Sequence, residues 1–146
     1  MNRSSGILLH ISSLPSKYGI GCFSEAAYNF TDWLSDAGQS YWQILPLGPT
    51  SYGDSPYQSF SSFAGNPYFI SLEEFIDIGY LTKEECNEIN FGENISSIDY
   101  GSLYKNRYTL LNKAYKRSDI SKDSKFQSFV NPVSYTHLRA HETLRH

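Results

Sequence analysis

The chain has 146 residues, 40% hydrophobic and 18% charged, which gives one domain's worth of core and excludes a disordered segment. Net charge is −3, and no Lys/Arg stripe is present, so nucleic acid is not an expected partner. Twelve tyrosines bring the aromatic share to 16%; such rings offer a flat apolar face and a polar tip, which suits either a core or a surface that meets sugars.

Gly6-Ile7-Leu8-Leu9-His10 is a short apolar run closed by turn residues, the pattern of a strand buried on both faces. The Ser/Pro/Gly-rich segment 12–21 reads as a loop. Ser24 is a candidate N-cap; Ala27, Phe30, Leu34 and Ala37 follow at helical spacing with Trp33 beside them, and Gly38 fits the C′ position. A second apolar run, Tyr41 to Leu47, begins about three residues later. Strand, helix and strand in this order predict a βαβ unit, with 6–10 and 41–45 parallel neighbours and the helix 24–37 packed across them.

The segment 48–67 has no period and is crowded with Gly, Pro, Ser, Tyr and Phe. Loops beyond about 12–15 residues tend to be functional, and this one follows the carboxyl end of a parallel strand, where such folds bind ligands. Asn66-Pro67 is read as fixing its exit. From Ser71 the chain turns helical up to Gly79, and Thr82 with Glu85 forms a capping-box pattern for a second short helix. Residues 99–117 carry Leu103, Tyr104, Tyr108, Leu111, Ala114 and Tyr115 at helical spacing, with basic residues between them read as a solvated face. Residues 118–125 read as a polar linker or the start of another element.

Residues 133–146 match no pattern set earlier in the chain and hold three of the four histidines. Read back into codons, 133–143 can be spelled as the transposase-derived adapter end of short-read sequencing libraries. The expectation is therefore that 1–132 is the native part and that 133–146 is a translated scar, excluded from fold and site reasoning. The competing reading, a metal site from His137, His141 and Glu142, lacks the oriented surroundings such ligands need. Cys22 and Cys86 make neither a CxxC nor a metal spacing and suit a reducing compartment. The apolar run at the start is too short for a signal segment or a membrane span, so a cytoplasmic location is expected and no membrane partner.

The run Trp42-Gln43-Ile44-Leu45-Pro46-Leu47-Gly48-Pro49-Thr50-Ser51-Tyr52-Gly53-Asp54-Ser55-Pro56-Tyr57-Gln58-Ser59-Phe60, continuing to Tyr68, resembles the first long block of the 4-α-glucanotransferases (amylomaltases). Gly6 to His10, Ser12-Ser13-Leu14-Pro15 and Tyr18 to Gly21 resemble the same family in the same order, as Asp99-Tyr100-Gly101 with Leu103-Tyr104 does more weakly. The resemblance implies an α/β fold, the N-terminal portion of a (β/α)8 barrel with part of an inserted subdomain. It also implies a retaining enzyme, without cofactor or metal, that moves α-1,4-glucan segments between maltodextrins. That chemistry needs two carboxylates about 5–5.5 Å apart, which in the family lie on later strands, and a complete barrel takes about 250 residues. The chain by itself is therefore expected to be inactive.

As the resemblance implies, Tyr57 stacks on a donor-site glucose, Tyr104 is a second active-site tyrosine, and Tyr52 belongs to a secondary surface glucan site. Asp54 and Ser55 complete the expected substrate-binding set. The competing role for Tyr57 is loop packing, and for Asp54 turn chemistry in Gly53-Asp54-Ser55-Pro56, its carboxylate bonding nearby amides. No second carboxylate has an evident place opposite Asp54, so no catalytic residue is assigned. His10 ends the first strand at the ligand end, but one imidazole makes no catalytic set, and it is read as a hydrogen-bonded structural histidine. Two other classes remain open: a non-catalytic glucan-binding module, and a hydrolase on a related barrel.

Overall fold

The computed structural model describes residues 3–133 except 52, 62, 93, 95 and 96. Two short strands, β1 (Gly6–Leu8) and β2 (Tyr41–Gln43), pair in parallel with Gly6 opposite Tyr41 and Leu8 opposite Gln43. Beyond the ladder, the Leu9 N–H donates to Gln43 O at 3.0 Å and the Trp42 indole N–H donates to Leu9 O at 2.8 Å. Helix α1 (Glu25–Asp36) makes the crossover and sets the Phe30 ring edge-on to Trp42, centroids 4.9 Å apart. The predicted βαβ unit is present.

Local signals at α1 hold in part. Gly38 takes the left-handed conformation (φ 69°) that stops the helix, as its sequence position required. Ser24 is at the N-cap position, but its hydroxyl makes no cap bond to the helix. It interacts instead with the Cys22 thiol.

The strands are not buried on both faces. Residues 6–8 are exposed throughout, Leu8 at 59%. One crossover helix covers one face of a two-stranded sheet, and strand burial depends on cover that the strand's own sequence does not supply.

The core lies beside the sheet. Ile11, Leu14, Tyr18 and Ile20 from the loop after β1 meet Tyr68, Phe69 and Leu72, and Leu103, Leu110 and Ala114 close the cluster. The first of these segments includes a 3-10 turn (Ile11–Ser13) and the second another (Pro67–Phe69). Leu72 opens α2 (Leu72–Asp77), and the last three belong to α4 (Tyr100–Ser118). Gly19 has φ 84°, and a Cβ there would come within 2.7 Å of Phe91 Cβ, so the tight packing of this loop requires glycine.

Helix α3 (Lys83–Asn87) starts with both arms of the capping box. Thr82 Oγ1 accepts from Glu85 N at 3.2 Å, and Glu85 Oε2 accepts from Thr82 N at 3.1 Å. Asp99 caps α4 through Ser102 N. On α4 the basic residues are not one solvated face: Arg107 is fully buried, while Tyr104 and Tyr115 point outward. Residues 118–125 hold a 3-10 turn (Ile120–Lys122) and the start of α5 (Ser124–Val133) rather than a linker.

Glu85 also pairs with Arg117 (2.7 Å) and Lys113 (3.3 Å), joining α3 to the end of α4. The hydrogen bonds from Arg117, then the Thr82 amide, hold its carboxyl well below the usual range, at about 2. A carboxyl whose folded pKa is depressed binds fewer protons folded than unfolded. Its stabilisation is complete above the ordinary carboxylate range and is lost as pH falls toward 2. The thermal midpoint should therefore fall between about pH 4.5 and 2, and Glu85→Gln should flatten that acid limb. Equal acid limbs in the two proteins would remove this pairing as the cause.

Candidate functional site

The 48–65 loop leaves the carboxyl end of β2 and returns beside the end of β1. Leu47 follows β2, and its carbonyl accepts from Asn66 N at 3.0 Å, which closes the 48–65 loop at its base. The Asn66 side chain accepts from Tyr68 N at 2.9 Å and starts the turn at Pro67, as the Asn-Pro pair predicted. Phe69 then lies edge-on to His10 (5.4 Å), which directly follows the β1 ladder. The loop's exit, the end of β2 and the end of β1 therefore converge.

The loop displays aromatic rings. Tyr57, Phe60 and Phe63 are all exposed, Tyr57 at 72%. Its backbone is organised by short side chains: Ser51 Oγ donates to Gln58 O at 2.6 Å, and Ser55 Oγ accepts from Tyr57 N at 3.3 Å. The Tyr57 ring makes no ring–ring contact with another described residue. Tyr52 lies outside the described residues.

Asp54 sits in a turn with φ 54°, its N–H donating to Ser51 O at 3.1 Å. Among the described residues no amide donates to the Asp54 carboxylate; the Ser55 hydroxyl accepts from the Tyr57 amide instead. The Asp54 charge acts on Tyr68 and Tyr100. Burial, followed by Tyr108 and Asp54, pushes the Tyr68 hydroxyl up to about 12, and burial followed by Asp54 raises Tyr100.

Tyr104, 71% exposed, stands edge-on to Tyr108 (6.2 Å), which stands edge-on to Tyr68 (5.8 Å). The structure thus gathers Tyr104 and Asp54 around Tyr68, a grouping in which Tyr68, Tyr100 and Tyr108 were not anticipated. The spacing of 104 and 108, one helical turn apart, was the available signal. The result is an aromatic wall with hydroxyl tips, able to stack on sugar rings and to bond their hydroxyls.

Arg107 stands behind this wall. Its Nη1 donates to Tyr18 O at 3.0 Å and its Nη2 to Ile70 O at 2.6 Å. One guanidinium thereby ties the loop after β1, the exit of the aromatic loop and α4 together. Cys22 and Cys86 are free, buried thiols near it, and burial raises the pKa of each. Among the described residues no three His, Cys, Asp or Glu side chains group as a metal site would.

The family described as 4-alpha-glucanotransferase matches residues 9–140. The chain is similar to the 4-alpha-glucanotransferase of Clostridium butyricum, 54% identical over 122 residues, covering 84% of this chain and 25% of that one. It is 47% identical over 114 residues to the Thermus thermophilus 4-alpha-glucanotransferase, covering 78% and 22%. Among solved structures it is similar to amylomaltase from Streptococcus agalactiae in complex with acarbose. The TM-score is 0.80 at 41% identity, with 90% of this chain and 26% of that chain covered. The chain spans about a quarter of the length of the curated relatives it matches.

Proposed function

The chain belongs to the 4-alpha-glucanotransferase family, and on that premise we propose that it forms part of the sugar-binding wall of an enzyme that transfers α-1,4-glucan segments between oligosaccharides. The observation that carries this reading is the exposed aromatic loop at the carboxyl end of two parallel strands, in a chain matched by the family over most of its length. The exposed strands support a sheet that continues into a (β/α)8 barrel, since parallel strands are stable when both faces and edges are covered. Tyr57 supplies a stacking face for a donor sugar. Tyr104 and Asp54 supply a second patch around Tyr68; Ser55 belongs to the same substrate-binding set, and Tyr52 to a secondary glucan site.

The test is a full-length enzyme in which this chain replaces the corresponding segment of the Clostridium butyricum relative. It should disproportionate maltotriose. Within it, Tyr57→Ala should lower kcat/KM for short donors about tenfold, since aromatic contacts are worth roughly 0.5–1.5 kcal/mol beyond area burial. Tyr57→Phe should lose less. A folded chimera with no transfer would overturn the reading; an Ala variant as active as the parent would remove Tyr57 from the site.

A further inference from the structure

His10 is the residue at this site whose chemistry the aromatic wall does not account for. A hydrogen-bonded structural histidine was expected, and that is not what the structure holds. Its Nδ1 is shut off from solvent and has no hydrogen-bond partner, and the ring contact of His10 is the edge-on approach to Phe69. Leaving a buried polar atom unpaired is destabilising. A phenylalanine would pack on Phe69 without that cost, so packing does not explain an imidazole here.

The second ring nitrogen is different. Nε2 is not among the enclosed, unpartnered atoms, and no described residue hydrogen-bonds to it. The ring directly follows the β1–β2 ladder, beside the base of the aromatic loop. A buried orphan donor is rarer than a buried orphan acceptor, which favours the tautomer with the lone pair on Nδ1 and the proton on Nε2. Burial lowers the pKa of the ring, in keeping with a neutral imidazole.

We propose that His10 is a further positioning residue for glucan, its Nε2–H donating a hydrogen bond to a sugar hydroxyl at the carboxyl end of the two strands. The proposal rests on the glucan-binding reading above and adds to it a polar contact that fixes the orientation of a sugar stacked on the aromatic rings.

The experiment uses the full chain and maltoheptaose as the probe, read by nitrogen-resolved imidazole spectra and carbon-resolved aromatic-ring spectra, with His10→Phe assigning the imidazole signal and Tyr57→Ala the Tyr57 ring. Expected are a neutral ring protonated at Nε2 at pH 7 and a shift of that signal with sugar. The dissociation constant should weaken about tenfold in His10→Phe, the size of one lost hydrogen bond, and less in His10→Gln, which returns a donor near the same place. The Phe variant should melt no lower than wild type, because its ring keeps the contact with Phe69. A His10 signal that stays still while the Tyr57 ring responds would overturn the proposal alone, as would a Phe variant with unchanged affinity. Silence from every aromatic signal would retire the glucan reading and this proposal with it. The wild-type titration and the Gln variant decide the matter if the Phe variant does not fold.

Discussion

Arg107→Ala should lower the stability of the chain by about 3–5 kcal/mol, enough to unfold a marginal domain. The guanidinium is 0% exposed, and its two hydrogen bonds reach backbone carbonyls 89 and 37 positions away in sequence. Hydrogen bonds to a charged group contribute about 1.5–3 kcal/mol each, and truncation also leaves a cavity and two unpaired carbonyls. Burial lowers the guanidinium pKa while the neighbouring Cys22 side chain opposes that shift, but an arginine stays protonated at any ordinary pH. Arg107→Met separates the two contributions. It fills most of the volume and restores neither bond, so it should recover only part of the loss. Urea denaturation with m unchanged is the measurement. An Ala variant within about 1 kcal/mol of wild type would mean that the three segments hold together without it.

Arg107 also marks where sequence reasoning stopped. A basic residue between apolar positions at helical spacing has the same pattern whether its head reaches water or two distant carbonyls. Only the tertiary arrangement of Tyr18 and Ile70 distinguishes them. The βαβ order, the Gly38 stop, the Thr82–Glu85 box and the Asn66-Pro67 exit were legible because each is settled within a few residues by backbone geometry or a local hydrogen bond. Strand burial was not, since it depends on neighbours the strand does not encode. Tyr57 was visible as an aromatic in a long loop at a strand's ligand end. The grouping of Tyr68 with Tyr104 and Tyr108, and the charge of Asp54 felt at Tyr68 and Tyr100, were not, because they join segments up to about fifty residues apart.

The same division decides the other large effect: the chain alone should give no disproportionation of maltotriose above a protein-free blank. Retaining transfer at a glycosidic bond needs a carboxylate nucleophile and, about 5–5.5 Å away, a carboxylic acid that can protonate the leaving oxygen. Such an acid works when its pKa is raised toward neutrality by burial or a like charge. The carboxyls that depart from ordinary behaviour here move the other way. Glu85 is held near 2, chiefly by Arg117, and Asp99 is lowered by its bonds to the Ser102 amide and hydroxyl. Each serves a helix start and is committed as an anion. Asp54 occupies a left-handed turn, and its charge, after burial, helps raise the hydroxyls of Tyr68 and Tyr100. Turnover that survives purification and is abolished by Asp54→Asn would show that aspartate to be a reacting group. Turnover that survives in Asp54→Asn would place a working carboxylate elsewhere in the chain.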